Sequence, residues 1–176
     1  MIRRIETKKG TITVRYVQKR DLSHVYNLEM SFVDENAFVG IDKKVLKNKY
    51  SKKIEADLKN KNIVFLVAEH DGRIIGRAVL KSHDKNSTAS HVSDFYIGID
   101  KNYRRVGLGR KMLDILFMEG KRKLNTEMVT LEVVSSNHPA LRLYKKMGFR
   151  TMGRIPKGRK YGKKYHDSIL MYKSLV

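Results

Sequence analysis

Apolar residues recur along this chain at two spacings, every second residue in some segments and every third or fourth in others. The first spacing is typical of strands with one buried face, and the second is typical of amphipathic helices. Alternation and β-branched composition predict seven strands, over residues 11–16, 63–69, 73–81, 92–99, 128–134, 149–155 and 165–173. Asp71-Gly72, between the second and third of these strands, is a strong hairpin-turn signal.

Helical spacing predicts four helices, over residues 21–32, 42–58, 107–124 and 138–147. Asp42 is a favourable N-cap for the second helix, and Gly148 is a favourable stop for the fourth. Residues 33–40 are predicted to be a loop. The order of these elements indicates a mixed domain of the α/β (α+β) class.

Size and composition are those of one folded domain. With 176 residues, the chain suits a single domain spanning 1–176 with a core of its own. No apolar run approaches the roughly 18 residues that cross a bilayer, and Met1-Ile2-Arg3-Arg4 leads into charged residues rather than an apolar signal core. We therefore expect a cytoplasmic protein that makes no membrane contact, and the sequence leaves a homodimer open.

The residue types also restrict the chemistry. The chain has no cysteine, which excludes disulfides, thiolate metal sites and a cysteine nucleophile. The six histidines show no ligand spacing, so we expect no metal.

The formal net charge is +20, from 38 Lys and Arg against 18 Asp and Glu. Such a field would attract a ribosome, RNA or a nucleoid to the basic surface. The alternative is a lysine-rich composition with solvated helix faces. We favour the alternative, because aromatic residues are not interleaved with the basic ones as in a single-strand binding surface.

A glycine-containing loop joins the fourth predicted strand to the third predicted helix. Its sequence is Arg104-Arg105-Val106-Gly107-Leu108-Gly109. Unpaired amides and the positive end of the helix dipole make such a helix start a phosphate site, and glycines let a diphosphate approach the main chain. The loop is not a dinucleotide fingerprint, since Met112 stands where the third glycine would be, and the P-loop pattern is absent.

A second segment narrows the choice of phosphate carrier. Leu131-Glu132-Val133 is followed by Ser136-Asn137 and by the run Ala140 to Phe149. Together the two segments resemble the GNAT superfamily of acyl-coenzyme A N-acyltransferases, whose patterns are [RQ]-x-x-G-x-[GA] and N-x-x-A-x-x-L-Y-x-x-x-G-F. The matching residues are Arg104, Gly107, Gly109, Asn137, Ala140, Leu143, Tyr144, Gly148 and Phe149.

The resemblance implies a GNAT-like mixed, mostly antiparallel sheet of six to seven strands with about four flanking helices. It also implies a V-shaped splay between the fourth and fifth strands, where acetyl-CoA is the cosubstrate. Main-chain groups near Ile97, Gly98 and Ile99 would pair with the pantetheine arm, and Gly98 would permit a bulge or a close approach. Asn137 is a helix cap by residue type, and its amide could also face the pantetheine. The pyrophosphate would lie against Arg104, Arg105, Val106, Gly107, Leu108, Gly109 and Arg110.

Two residues are candidates for proton transfer. Within one branch of the family, the ribosomal-protein alanine acetyltransferases, a glutamate and a tyrosine twelve positions later act as general base and general acid. Glu132 and Tyr144 have this spacing, and we expect partial burial of Glu132 to move its pKa towards the working range. The alternatives are a surface carboxylate at Glu132, a packing role for Tyr144, and Asp94 as the base.

The acceptor is less well defined by the sequence. The spacing of Glu132 and Tyr144 favours a protein N-terminal α-amine, although Val134 stands where the alanine acetyltransferase pattern has arginine. Tyr165, Asp167 and Met171 match a tail motif that ribosomal-protein, polyamine and antibiotic-resistance relatives share. Two alternatives therefore stay open. The protein could be a small-molecule or polyamine acetyltransferase, or it could be a CoA-sensing or nucleic-acid-binding module without turnover.

Overall fold

The computed structural model describes residues 1–34 and 52–176. In that part of the chain, eight strands form one sheet in the order β1-β2-β3-β4-β5-β6-β8-β7. The β5–β6 pair is parallel, and the other neighbouring pairs are antiparallel. The predicted mixed, mostly antiparallel class is confirmed. The strands are β1 (Ile2–Thr7), β2 (Gly10–Tyr16), β3 (Ile63–His70), β4 (Arg73–Ser82), β5 (Val92–Ile99), β6 (Met128–Val134), β7 (Arg150–Tyr161) and β8 (Lys164–Ser174).

The prediction of six to seven strands was too low because it missed β1. This strand pairs with β2 at the edge of the sheet, from Ile2 opposite Arg15 to Thr7 opposite Gly10. Within β1 the only buried residue is Ile5, so the strand shows no run of alternating apolar residues. The exposed charges of Arg3, Arg4 and Glu6 suit an edge strand, where they discourage pairing with another chain.

The helices are α1 (Leu22–Asp34), α2 (described over residues 52–59), α3 (Leu108–Leu124) and α4 (His138–Lys146). Most of the loop predicted over 33–40, and the predicted helix start at Asp42, lie outside the described residues. Gly148 follows α4 with a φ of 86°, the left-handed conformation expected of a glycine helix stop. Within the described ranges, no helix is long and apolar enough to cross a membrane.

The sheet separates two layers of helices. Alternate residues of β3 face opposite sides, because successive side chains of a strand point in opposite directions. Leu66 is buried in one core cluster with Met112 of α3, whereas Val67 is buried in another with Val25 of α1 and Ile54 of α2. The helices α3 and α4 therefore cover one face, and α1 and α2 cover the other.

β5 and β6 are paired only at their first residues, with Val92, Ser93 and Asp94 opposite Met128, Val129 and Thr130. At the last of these pairs, the Thr130 hydroxyl donates a hydrogen bond to the Asp94 carboxylate. Beyond it, β5 stays paired with β4 as far as Ile99, and β6 stays paired with β8 as far as Val134. The sheet therefore parts into two halves, which confirms the predicted V-shaped splay.

Candidate active site

The loop that leads from β5 into α3 is fixed by its own polar contacts. The Asp100 carboxylate accepts a hydrogen bond from the amide of Asn102 at 2.8 Å. Nε of Arg104 donates to the carbonyl of Ile99 at 2.8 Å. These contacts hold the loop against the end of β5, next to the opening between the strands.

Gly107 is the N-cap of α3 and has a φ of 80°, a conformation that glycine adopts without strain. No atom lies within 4 Å of the position that a β-carbon would take there, so the space beside Gly107 is open. The first-turn amides of Leu108, Gly109 and Arg110 have no partner within the helix. With Arg105 just before them, they form a positively polarised helix start that faces open space, as an anion site requires.

Gly109 has a different role from Gly107. A β-carbon at Gly109 would lie 3.3 Å from Ile99 Cδ1 and 3.5 Å from Leu143 Cδ2. The absence of a side chain therefore lets the start of α3 pack closely against the end of β5 and against α4. Gly107 is thus required for the backbone conformation of the loop, and Gly109 for close packing.

Gly98 is covered by a side chain from α1. A β-carbon on Gly98 would overlap the ring of Phe32, which is itself buried. The β4–β5 register continues without a shift through Ile97, Gly98 and Ile99, so the predicted bulge is absent and the predicted close approach is made by Phe32. The other edge of these three residues has no strand partner within the described part of the chain, which leaves it open towards the gap.

Tyr144 of α4 is buried, with 8% of its surface exposed. Its ring centroid lies 5.8 Å from that of Phe95 on β5 and 5.6 Å from that of Phe149. Burial raises the pKa of Tyr144 to about 12, which keeps its hydroxyl protonated at neutral pH. Since Phe95 directly follows the last paired residue of β5, the Tyr144 ring lies near the point where the gap begins.

Glu132 lies on β6 between the buried residues Leu131 and Val133, and its side chain points to the opposite face of the sheet. Its side chain is 31% exposed. Arg159 of β7 donates a hydrogen bond to Oε2 of Glu132 at 2.7 Å. Tyr144 packs in the cluster that contains Leu131 and Val133, so the two predicted catalytic residues are on opposite faces of the sheet.

Two further predicted residues have local partners. Asp94, the alternative base, accepts from Thr130 where β5 and β6 are still paired. Asn137 is the N-cap of α4, and its Oδ1 accepts from the amide of Ala140 at 3.3 Å. The structure therefore supports the capping role predicted for Asn137.

The sequence did not single out the side chains that surround Glu132. They come from the β7–β8 hairpin, where Arg159 pairs with His166 across the ladder. Nδ1 of His166 lies 2.9 Å from the Ser136 hydroxyl, and its ring centroid lies 5.7 Å from that of Tyr161. Burial raises the pKa of Tyr161. The only sequence signal was the tail motif around His166, in which Asp167 turns out to bind Arg154.

A buried ion pair under α1 was also missed. Glu29 of α1 has no exposed surface and pairs with Arg77 of β4. Arg77 is directly opposite Gly98 in the β4–β5 ladder, and burial lowers its pKa to about 10. Glu29 and Phe32 are three residues apart and so share one face of α1, which attaches this helix to the sheet beside the gap.

The arrangement combines an anion-binding helix start, an open strand edge, a carboxylate on one face and a protonated phenol on the other. These parts suit the transfer of an acyl group from a phosphate-bearing carrier to a nucleophile. Across residues 1–34 and 52–176, no three His, Asp or Glu side chains are grouped to hold a metal ion.

Solved structures share the architecture. A putative acetyltransferase from Salmonella typhimurium, solved with acetyl-CoA, superposes with a TM-score of 0.82 at 21% identity, and 94% of each chain is covered. The ribosomal-protein-alanine N-acetyltransferase from Brucella melitensis superposes with a TM-score of 0.77 at 22% identity, covering 92% of this chain and 99% of that one. At these identities the likeness establishes the fold.

Similarity in sequence points the same way. An N-alpha-acetyltransferase of Sulfurisphaera tokodaii is 36% identical over 102 residues, which are 53% of this chain and 60% of that protein. An L-amino acid N-acetyltransferase of Escherichia coli is 30% identical over 96 residues, or 54% and 57% of the two chains. The matches thus span little more than half the length of these curated relatives. The model of the acetyltransferase (GNAT) family matches residues 22–149, and the chain belongs to that family.

Proposed function

We propose that this protein transfers the acetyl group of acetyl-CoA directly to a primary amine, and that the amine is a protein N-terminal α-amine. The observation that carries the proposal is the early end of β5–β6 pairing at Asp94 and Thr130. Just beyond that point, Glu132 and Tyr144 approach from opposite faces of the sheet. A thioester in the gap would have a proton acceptor on one side and a proton donor on the other.

Acetyl-CoA would supply the acyl group, and the residues of the gap would orient it. The amides of Gly107 to Arg110 suit its pyrophosphate, with Arg104 and Arg105 adding positive charge near the outer phosphates. The unpaired edge of β5 at Ile97, Gly98 and Ile99 suits the amide groups of the pantetheine arm, which can bind as an additional strand.

Proton transfer would involve Glu132 and Tyr144. An α-amine has a pKa of about 8, so much of it is charged at neutral pH and must lose a proton before it attacks. Glu132 would accept that proton, directly or through water. Tyr144, a phenol that is protonated at neutral pH and whose pKa burial raises further, to about 12, would donate to the departing sulfur.

The choice of acceptor has separate support. The Sulfurisphaera tokodaii relative is named an N-alpha-acetyltransferase, and the spacing of Glu132 and Tyr144 agrees with the alanine acetyltransferase pattern. The positive charge of +20 disfavours polyamines on average, because they carry the same sign.

The test is release of free CoA thiol from acetyl-CoA in the presence of defined acceptors. The panel contains peptides with different first residues, the same peptides with blocked N-termini, lysine peptides, spermidine and free amino acids. We expect release with free N-termini and none with blocked ones. Thiol release with spermidine or free amino acids but not with peptides would show that the acceptor is a small amine rather than a protein N-terminus. Binding of acetyl-CoA without thiol release on any amine would indicate a module without turnover.

A further inference from the structure

A groove lies at the end of the sheet away from the gap, between the end of β2, the start of β3 and the end of α3. Its volume is about 470 Å³, and four of its lining residues are lysines: Lys59, Lys61, Lys85 and Lys123. We call it the lysine groove. The gap opens towards Ile99, whereas the groove lies by Ile63, and Ile63 is opposite Lys81 near the other end of β4.

The lysine groove has a net positive charge from the described residues that line it. In the part of the chain that the structure describes, the ammonium groups of Lys59, Lys61 and Lys85 make no ion pair and no hydrogen bond. Among the lining residues there is one acid, Asp57. An uncompensated set of cations in a concave surface concentrates anions.

The fourth lysine is held in place. Nζ of Lys123 lies 3.9 Å from the centroid of the Tyr16 ring, a cation–π contact. The Tyr16 hydroxyl donates to the buried carboxylate of Glu119, which also accepts from Arg122. This contact fixes one wall of the groove and places a cation over one face of the Tyr16 ring, so a base cannot stack on that face.

The lysine groove is separate from the helix start that would hold the pyrophosphate. Lys123 is near the end of α3, and the 17 residues of this helix span about 25 Å at 1.5 Å per residue. The two positively charged regions are therefore at opposite ends of α3, and a single coenzyme held at its start has no need of the second.

We propose that the lysine groove binds the phosphate backbone of a single-stranded nucleic acid without preference for sequence, through charge alone and without the base stacking that the aromatic pattern of the sequence does not support. Its four lysines come from α2, the turn after it, the β4–β5 connection and α3, a spread that suits a ligand with repeated charges rather than one small anion. Lysine is a point charge that contacts phosphates, and the described residues that line the groove include no arginine to provide a bidentate contact to a base. A single strand is flexible enough to follow lysines on four different elements, whereas a duplex is stiff over many base pairs.

The experiment measures fluorescence anisotropy of a labelled oligouridine of about 20 nucleotides over a range of salt concentrations. The variant Lys61→Gln/Lys85→Gln removes two positive charges from the groove. The matched control, Lys8→Gln/Lys9→Gln, removes two from the exposed β1–β2 turn, at the other end of β2 from Tyr16. The four substituted lysines, Lys8, Lys9, Lys61 and Lys85, are all exposed, so both variants should fold.

We expect the groove variant to bind about tenfold more weakly at low salt and to reduce the salt slope by about 1.4, since each lost phosphate contact removes about 0.7. The control should change the affinity less than about twofold. Equal weakening in both variants would overturn the proposal in favour of bulk charge. Displacement of the oligonucleotide by acetyl-CoA, or equal binding of a duplex or of polyglutamate, would also overturn it. None of these measurements depends on acetyl transfer.

Discussion

Arg159 of β7 reaches across β8 to hold Glu132 of β6, with 2.7 Å between its terminal nitrogen and Oε2 of the carboxylate. The contact fixes one oxygen of Glu132. Within the described residues, Oε1 has no hydrogen-bond partner, so it is available to a group in the gap. A general base must be fixed in position and must keep one oxygen available to accept a proton from a bound amine, and Glu132 meets both conditions.

Replacement of Glu132 by glutamine should therefore reduce turnover. The change Glu132→Gln keeps the size of the side chain but removes its capacity to accept a proton, and we expect kcat to fall by about 10²- to 10⁴-fold. Acetyl-CoA affinity, measured by calorimetry, should stay near the wild-type value. The matched variant Asp94→Asn should have a small effect, and the opposite ranking of the two variants would make Asp94 the base.

The hydroxyl of Tyr144 should matter for turnover but little for stability. It has no hydrogen-bond partner among the described residues, so Tyr144→Phe should leave the free energy of unfolding almost unchanged while kcat falls by about 10²-fold or more. Tyr16→Phe provides the reverse control, because the Tyr16 hydroxyl bonds the buried Glu119. That change should lower the free energy of unfolding by about 1–3 kcal/mol without slowing turnover. Full activity of Tyr144→Phe would limit Tyr144 to packing.

Much of this fold is predictable from the sequence because short local patterns determine its strands and turns. The alternation in 63–69 and 73–81, and the Asp71-Gly72 turn between them, depend on neighbouring residues only. Both turn residues have the positive φ, 48° and 73°, that a two-residue hairpin turn requires. The start of α3 at Gly107 is likewise predictable, since the short glycine motif indicates both the positive φ and the group of helix-start amides.

The surroundings of Glu132 are not predictable in this way. Arg159 reaches it only because the β7–β8 register shifts between Ile155 and Arg159, where Lys157 has a φ of 54°. A shift of one residue would move the Arg159 side chain to the other face of the sheet. The Glu29–Arg77 pair is hidden for a similar reason, since nothing local brings a helix over a strand 48 positions later.

The open space beside Gly107 should be needed for acetyl-CoA. Asparagine tolerates positive φ, so Gly107→Asn should fold, but its side chain would occupy that space. We expect acetyl-CoA affinity to fall about tenfold or more, corresponding to about 1.4 kcal/mol. Gly162→Asn is the matched control, because Gly162 also has positive φ and no atom within 4 Å of its missing β-carbon. Equal affinities of the two variants would refute the pyrophosphate assignment.

The ion pair of Arg15 and Asp21 should make stability depend on pH. Both residues are buried, and the two guanidinium nitrogens lie 2.7 and 2.9 Å from the carboxylate oxygens. Burial alone would raise the pKa of Asp21, but the bonds from Arg15 and from the amide of Gln18 outweigh it and the pKa is lowered. Asp21 therefore contributes stability above its unfolded pKa of about 3.9, and this contribution is lost as the pH falls through the lower folded value.

Asp21→Asn should consequently lower the free energy of unfolding by about 3 kcal/mol at neutral pH, because it leaves the buried Arg15 with Glu69 as its remaining carboxylate. At acidic pH below the lowered pKa of Asp21, where the wild-type carboxyl is protonated as well, the difference between the two proteins should shrink. Urea unfolding at both pH values measures it. Asp114→Asn, at an exposed pair with 3.9 Å between Arg110 and Asp114, should change stability by less than about 1 kcal/mol at either pH. A difference for Asp21→Asn that is equally large in acid would mean that packing around the side chain, rather than its charge, is what stabilises this corner of the sheet.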